Sequence, residues 1–213
     1  MKNKRIILNP FQINCYIYHD EESKEGIIID PAAYDISEEN LIKDYIEQNQ
    51  IKIKFIINTH GHIDHILGND FAKKYLKVPI LIHKEDEILV KNYSIQASMF
   101  GLNMAKPPEF DDYFDESTKI ILGTNLLEII HTPGHSRGGI CILDKKNKTI
   151  FTGDVLFRES IGRTDLHGGD YEVLIDSIKN KIFKECDDDF VIYPGHNESS
   201  TIGYEKKYNP FLN

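Results

Sequence analysis

Four side chains that could bind metal ions lie within six residues of one another. They are His60, His62, Asp64 and His65. They follow the apolar run Lys54–Asn58, which is predicted to be a strand, so they lie in the loop at its carboxyl end. Residues two apart in an extended segment point the same way, so the first two histidines can bind one ion. A turn after them could direct the other two residues to a second point. Imidazole and carboxylate together suit zinc, iron and manganese.

Three further candidate ligands each come directly after a predicted strand and a glycine. They are His135 in His-Thr-Pro-Gly-His, Asp154 in Phe-Thr-Gly-Asp and His196 in Tyr-Pro-Gly-His. Glycine lets the backbone turn sharply, so that the next side chain can face a site at the strand end. Because the three share this pattern, we expect them to complete the metal site that begins at His60.

The remaining histidines and the cysteines are not predicted to be ligands. His131 is expected to have a structural role or, as the alternative, to support a metal ligand, and His19 is expected to lie on the surface. Cys15, Cys141 and Cys186 are far apart and form no Cys-x-x-Cys pair, so they are predicted to be small buried side chains rather than a disulfide framework.

Mixed strands and helices must position these ligands. The predicted strands are Arg5–Leu8, Ile13–Tyr18, Gly26–Ile29, Lys54–Asn58, Ile80–Ile82, Lys119–Leu122, Leu126–Ile130, Gly139–Leu143, Thr149–Thr152 and Phe190–Tyr193. Helices are predicted from the caps Ser37, Asp70 and Asp170, ending near Gln48, Leu76 and Lys184. Because several strands pair directly, the pattern favours mixed α/β structure over a simple parallel array.

The stretch 91–117 shows the least regular pattern. A loop is predicted at Pro107-Pro108 and the acidic residues after it, which include Asp115 and Glu116. Tyr93, Met99 and Met104 are apolar, so this stretch either packs on the core or forms one wall of a substrate cleft.

Composition limits the partners that the protein can have. The chain has 213 residues, with 25 Lys and Arg against 34 Asp and Glu, a formal net charge of −9. This acidic balance argues against nucleic-acid binding, which requires a basic surface. No apolar run approaches the roughly 18 residues that cross a bilayer, and the apolar stretch Ile6–Leu8 is too short for a signal peptide. We therefore expect a cytoplasmic protein with a small-molecule substrate, and the oligomeric state stays open.

The order of these motifs resembles that of the metallo-β-lactamase-fold hydrolases, and more closely their glyoxalase II-like branch. The ligand motifs are joined by further matching segments, which are Asn9–Tyr16, Ile28–Pro31, Gly153–Phe157, Gly162–Asp165, Thr201–Tyr204 and Asn209–Leu212. The resemblance covers essentially the whole chain. It implies an α/β (α+β) fold, a single four-layer αββα sandwich domain over residues 1–213, with the metal site at one edge.

The resemblance also implies which residue binds which ion. His60, His62 and His135 would bind one ion, Asp64, His65 and His196 would bind a second, and Asp154 would bridge them. The cofactors would be two divalent ions, zinc in the first place, with iron or manganese as alternatives. A hydroxide between the ions would attack a carbonyl carbon, Asp64 could orient it, and both aspartates are candidate catalytic residues.

A thioester such as S-lactoylglutathione fits this chemistry. No dedicated general acid is evident in the sequence, and a thiol with a pKa of about 8.5 can leave without one. Two features depart from glyoxalase II. Only 17 residues follow His196, fewer than its C-terminal helical domain requires, and the Lys and Tyr that it uses for the glycine carboxylate are absent. Arg163 could bind an anionic end of the substrate instead, or form a salt bridge with Asp165 or Asp170.

Other functions remain open at this point. Persulfide dioxygenases resemble the chain as well, including Gly162–Asp165, and would hold one iron on His60, His135 and Asp154. A lactonase is another hydrolytic option. A non-enzymatic protein that keeps the metal for stability is a third class, but structural zinc sites are usually closed and four-coordinate, whereas seven ligands leave room for water.

Overall fold

Two compact units make up the chain, Met1–Tyr113 and Phe114–Asn213. The computed structural model describes residues 1–102, 108–114 and 117–213. The predicted loop positions Met104, Pro107, Asp115 and Glu116 lie outside the described residues. The assignment of residues 1–213 to a single domain stays a prediction.

A mixed six-stranded sheet forms the first unit. Its strands are β1 (Lys2–Leu8), β2 (Ile13–His19), β3 (Glu25–Ile29), β4 (Lys52–Ile57), β5 (Ile80–His83) and β6 (Asp112–Phe114), which lie side by side in chain order. β1, β2 and β3 pair antiparallel, whereas β3, β4 and β5 are parallel. The carboxyl end of β4, where the first ligand motif begins, therefore lies beside the carboxyl ends of β3 and β5.

Helices of the first unit follow its strands. They are α1 (Ile36–Gln48), α2 (Ile63–Ile66), α3 (Asn69–Leu76), α4 (Glu87–Lys91) and α5 (Tyr93–Met99), with a 3-10 turn at Lys84–Asp86. Ile42 and Ile46 of α1 and Ala72 of α3 pack with Ile17 and Ile56 of the sheet in one apolar cluster.

Two cap predictions in this unit are wrong. The carboxylate of Asp35 accepts hydrogen bonds from the backbone N–H groups of Ser37 and Glu38, so Asp35 caps α1 rather than Ser37. The cap of α3 is Gly68 rather than Asp70. A Cβ at Gly68 would lie 2.1 Å from the carbonyl oxygen of Pro31, so this position requires glycine. In the stretch 91–117, where no helix was predicted, α5 forms, and Tyr93 packs in a buried apolar cluster, which is one of the two alternatives considered for this residue.

A second six-stranded sheet forms the second unit. Its order is β14-β13-β10-β9-β8-β7, and the strands are β7 (Lys119–Leu122), β8 (Asn125–His131), β9 (Ile140–Asp144), β10 (Thr149–Gly153), β13 (Val191–Pro194) and β14 (Ser200–Thr201). Only β10 and β13 pair parallel; the other neighbours are antiparallel. A short hairpin of β11 (Leu156–Phe157) and β12 (Ser160–Ile161) follows β10.

The predicted helix after Asp170 is present, and Asp170 caps it by accepting from the backbone N–H of Val173. It consists of α6 (Tyr171–Asp176), a π-helical segment (Ser177–Ile182) and α7 (Phe183–Glu185), and α8 (Ile202–Tyr208) lies near the chain end. Leu174, Ile178 and Ile182, spaced four apart, pack on Ile150 and Ile192 of the sheet.

The three cysteines are buried and free, as predicted. Burial raises the pKa of the Cys141 and Cys186 thiols to about 12, and burial also raises the pKa of Cys15. They are therefore protonated and poorly nucleophilic at neutral pH. None of the helices among the described residues is long and apolar enough to cross a membrane. The cytoplasmic location stays a prediction.

His19 does not lie on the surface as predicted; it is buried in the first unit. Its Nε2 lies 3.4 Å from the hydroxyl of Tyr45 on α1, and its Cβ closely approaches the backbone of Gly26, where a Cβ would lie 2.8 Å away. The sequence prediction failed because the residue that covers His19, Tyr45, lies on a helix more than twenty residues later in the chain.

Acid should destabilise the protein through His19. Burial lowers the pKa of this imidazole from its ordinary 6.5. The unfolded chain therefore binds the proton more readily than the folded protein, so the free energy of unfolding falls as the pH drops below about 6.5 and levels off below the lowered folded pKa. Urea unfolding of metal-free protein between pH 7.5 and pH 5 measures this. We expect the free energy of unfolding to fall less between pH 7.5 and pH 5 in His19→Gln than in the wild type. An identical fall in both proteins would contradict the role given to His19.

Candidate metal centre

The first ligand motif leaves β4 and enters α2. His62 is the N-cap of this helix, with extended backbone angles (φ −71°, ψ 145°), and Asp64 and His65 lie in its first turn. The predicted turn is thus a short helix, which turns Asp64 and His65 away from the extended His60-Gly61-His62 segment. His60, His62 and His65 are buried, whereas Asp64 is partly exposed.

Ligand atoms of this motif lie close together. One nitrogen of His60 lies within 4.8 Å of a nitrogen of His62, and the same holds between His60 and His65. The Oδ2 of Asp64 lies 4.0 Å from Nε2 of His65. The structure therefore brings together all four residues that the sequence predicted for this loop.

Asp30, which the sequence analysis did not single out, organises this loop. This buried carboxylate at the end of β3 accepts hydrogen bonds from Nδ1 of His65 (2.9 Å), the hydroxyl of Thr59 (2.7 Å) and the backbone N–H of Thr59 (2.8 Å). The usable sequence signal is an aspartate directly after a run of three isoleucines, because a buried carboxylate must have hydrogen-bond donors nearby.

These bonds decide which nitrogen of each imidazole can bind metal. The single hydroxyl proton of Thr59 goes to Asp30, so the contact of 3.1 Å between that hydroxyl and His60 makes Nδ1 of His60 the donor. His65 likewise donates from Nδ1 to Asp30. In both rings the lone pair is then on Nε2. Hydrogen bonds from the far nitrogen of a metal-binding histidine fix its tautomer and orientation in just this way.

Neighbouring amides support the backbone of the same loop. Asn58 donates to the carbonyl oxygen of His65 at 3.3 Å and pairs with the side chain of Asn69. Asn9 donates to the carbonyl oxygens of Asp64 and Ala32, each at 3.0 Å. Asn9 opens the first of the segments that carried the sequence resemblance.

The three later ligands lie at strand ends of the second unit, as predicted. His135 follows β8, Asp154 follows β10 and His196 follows β13. Two of the preceding glycines have left-handed backbones, Gly134 with φ 130° and Gly153 with φ 48°. The third, Gly195, instead donates its N–H to the carbonyl oxygen of Gly153 at 2.8 Å, which joins the ends of the parallel strands β10 and β13.

One carboxylate oxygen of Asp154 lies close to both histidines of this group. Oδ2 of Asp154 lies 3.6 Å from Nε2 of His135 and 3.5 Å from Nε2 of His196. Ligand atoms that share a tetrahedral ion with bonds of 2.0–2.1 Å stand about 3.3 Å apart. The two separations are close to that value, so Oδ2 of Asp154 can be a ligand of the same ion as His135, as His196, or as both.

Backbone groups after β12 hold this arrangement. Nδ1 of His135 donates to the carbonyl oxygen of Arg163 at 2.8 Å, which leaves its lone pair on Nε2. Gly162, next to Arg163, lies against both ligands: a Cβ there would be 1.9 Å from the carbonyl oxygen of Asp154 and 3.1 Å from Cβ of His135.

The guanidinium of Arg163 pairs with Asp165. Nε and Nη2 each donate at 2.7 Å to one of its two carboxylate oxygens, and this holds the pKa of Asp165 at about 2. The salt bridge, one of the two roles considered for Arg163, is thus present, and both side chains are exposed. Its substrate-binding role stays a prediction. His131 belongs to none of the candidate ligand groups among the described residues, and its Nε2 lies 2.8 Å from the carbonyl oxygen of Arg137.

The donor set suits a divalent metal ion. It consists of imidazoles and carboxylates, and the imidazoles of His60, His65 and His135 each donate from Nδ1 to a partner, which leaves Nε2 to bind a metal ion. Neutral imidazole and ionised carboxylate are what zinc, iron and manganese bind. The His/Asp cluster is therefore suitable for metal binding.

Comparison with known proteins agrees with this description. The family model described as "Metallo-beta-lactamase superfamily" matches residues 8–196. The chain is similar to hydroxyacylglutathione hydrolase GloC of Haemophilus influenzae, with 40% identity over 98% of this chain and 96% of that protein.

Solved structures give the same result. The crystal structure of BLEG-1 B3 metallo-beta-lactamase superposes with a TM-score of 0.90 and 31% identity over 100% of both chains. That of TTHA1623 in a di-iron-bound form superposes with a TM-score of 0.85 and 31% identity over 98% of this chain and 100% of that one. The predicted fold class, the α/β four-layer αββα sandwich, is confirmed.

Proposed function

The chain belongs to the metallo-beta-lactamase superfamily as a metallo-hydrolase, and we propose that it hydrolyses thioesters such as S-lactoylglutathione or a related hydroxyacyl thioester. One observation supports the hydrolytic part: a single oxygen of Asp154 lies 3.6 Å and 3.5 Å from the nitrogens of two histidines, a spacing that fits a carboxylate ligand shared between two ions. The substrate class is supported by the similarity to GloC over nearly the full length of both chains.

Seven residues would hold two divalent ions, for which we propose zinc. As in the sequence resemblance, His60, His62 and His135 would bind one ion, Asp64, His65 and His196 the other, and Asp154 both. When bound, such ions lower the pKa of water to near neutrality and polarise the carbonyl oxygen of a substrate. The di-iron form of TTHA1623 makes iron the first alternative to test.

The protein's own groups then have defined tasks. Asp30, Thr59 and the carbonyl oxygen of Arg163 keep the proton of each imidazole on Nδ1, so that Nε2 stays available. Asp64 is partly exposed and can accept a hydrogen bond from the attacking water, which orients the water toward the thioester carbonyl.

The overall reaction needs no further reactant. The water oxygen forms a bond to the acyl carbon, the carbon–sulfur bond breaks, and the thiolate leaves with the electron pair. The two protons of the water are divided between the carboxylic acid, or the solvent, and the thiol. A thiolate leaves without a general acid because the pKa of a thiol is about 8.5.

Two assays on one preparation test this proposal. Thiol release from S-lactoylglutathione is followed with a thiol reagent, and oxygen uptake is measured with glutathione persulfide. We expect metal-dependent thiol release and no oxygen uptake. Oxygen uptake by a sample that holds one iron per chain would instead identify a persulfide dioxygenase. Hydrolysis of a lactone to its hydroxy acid, with no thiol release from any thioester, would identify a lactonase.

We propose that the guanidinium of Arg163 leaves its salt bridge with Asp165 and binds an anionic group of the substrate. Because the guanidinium is exposed, Arg163→Ala is expected to raise the KM for S-lactoylglutathione only about twofold to fivefold, with kcat unchanged. Asp165→Asn should lower that KM, since it releases the guanidinium. A thioester of lactate with an uncharged thiol is the control, and its KM should not respond. Equal effects on both substrates would contradict this role.

A further inference from the structure

The backbone on both sides of His62 is held by side chains from the segment that contains α4 and α5. Asp86 accepts a hydrogen bond from the backbone N–H of Gly61 at 2.8 Å. Gln96 of α5 accepts from the backbone N–H of Ile63 at 3.1 Å and donates to the carbonyl oxygen of Gly61 at 3.3 Å. Gln96 therefore bonds to the residue before His62 and to the residue after it.

The amide of Gln96 also ties the loop to α4. Its Nε2 donates to the carbonyl oxygen of Leu89 at 2.8 Å, so both hydrogens of the amide and its oxygen are used. The loop and α4 approach closely at this point, because a Cβ on Gly61 would lie 3.0 Å from Cβ of Leu89 and 3.1 Å from the carbonyl oxygen of Asp86. The contact is thus direct and built from polar groups with matched donors and acceptors.

These backbone hydrogen bonds orient His62, whereas His60 and His65 are oriented by hydrogen bonds at Nδ1 of their own rings. His60 and His65 are oriented by bonds from their rings to Thr59 and to Asp30. His62 is the N-cap of α2, where its φ and ψ set the direction of the side chain. Bonds to the two adjacent peptide units restrict those angles, and α2 is only four residues long, so the helix itself adds little rigidity.

We propose that Gln96 is a positioning residue for His62, which fixes the metal-binding geometry through the backbone of the ligand loop. This inference rests on the proposed function only in requiring that the loop binds a metal ion. It does not depend on the substrate. Partners of metal ligands typically contribute 10-fold to 100-fold to metal affinity, and this sets the size of the effect to expect.

Three variants test the proposal. Gln96→Ala removes both donors and the acceptor. Gln96→Glu keeps an acceptor for the N–H of Ile63 but cannot donate to Gly61 or Leu89. Ser98→Ala is the matched control, because Ser98 is exposed on the same helix. For each protein, chelator competition gives the zinc dissociation constants, cobalt substitution gives the visible absorption spectrum, and urea unfolding of the metal-free form gives its stability.

We expect Gln96→Ala to weaken binding of one zinc ion about 10-fold to 100-fold and to change the cobalt spectrum. Gln96→Glu should fall between Gln96→Ala and the wild type, and Ser98→Ala should match the wild type. A Gln96→Ala protein that loses stability but keeps wild-type zinc affinity and cobalt spectrum would overturn the inference and leave Gln96 a structural residue. Failure of the wild type to bind zinc or cobalt would overturn both this inference and the proposed function.

Discussion

Asp154→Ala is expected to lose both metal ions and thioester hydrolysis together. The carboxylate is the shared neighbour of His135 and His196, and in the proposed site it would be a ligand of both ions. Its removal would then take one ligand and one negative charge from each ion's surroundings. Metal ions contribute several kcal/mol to such hydrolyses, so the rate should fall on the order of 10³-fold or more. Metal analysis of the purified variant beside its rate of thiol release measures both effects.

Asp165→Asn is the control for this experiment. Asp165 is an exposed aspartate of the same unit whose carboxylate pairs with Arg163. It should keep both ions and a wild-type kcat. If Asp154→Ala keeps its full metal content and rate, Asp154 does not bridge the ions. If it loses only one ion, Asp154 is a terminal ligand.

Gly162→Ala is expected to damage the metal centre although Gly162 binds nothing itself. The added Cβ would lie 1.9 Å from the carbonyl oxygen of Asp154, a distance that no real contact tolerates, and 3.1 Å from Cβ of His135. The backbone must shift, and it carries two ligands. Overpacking of this kind typically costs about 1–3 kcal/mol of unfolding free energy. Urea unfolding and metal content of the same preparation measure the outcome.

Gly101→Ala separates this effect from a general cost of replacing glycine. A Cβ on Gly101 meets none of the described residues within 4 Å, and its φ of 69° leaves only a backbone cost of about 1 kcal/mol. We expect Gly101→Ala to keep its metal and Gly162→Ala to lose metal. Equal metal content in the two variants would contradict the steric argument at Gly162.

Much of the architecture follows from local sequence pattern. All ten strands predicted from apolar runs are present, with bounds that shift by at most three residues. The candidate ligands stand out in the sequence because several metal-binding residue types at strand ends serve no packing purpose. His135, Asp154 and His196 lie where their preceding strands and glycines place them.

Features that depend on distant parts of the chain were not predictable. Asp30 and Gln96 act on the ligand loop from positions about 30 residues before and after it. The isoleucines before Asp30 indicate a buried carboxylate but not its partners, and Gln96 has no distinctive local motif. His19 is covered by Tyr45, which only the packing of α1 brings near. The π-helical turn at Ser177–Ile182 likewise has a sequence pattern that an ordinary helix would share.

Titration of metal-free protein with zinc tests the central claim most directly. At each addition, the rate of thiol release from S-lactoylglutathione is measured together with bound zinc on the same sample. The proposed mechanism predicts that the rate rises with bound metal and reaches its maximum at about two ions per chain. A protein that is saturated with metal and releases no thiol would contradict the proposed hydrolysis of glutathione thioesters, and full activity without metal would contradict the metal centre itself.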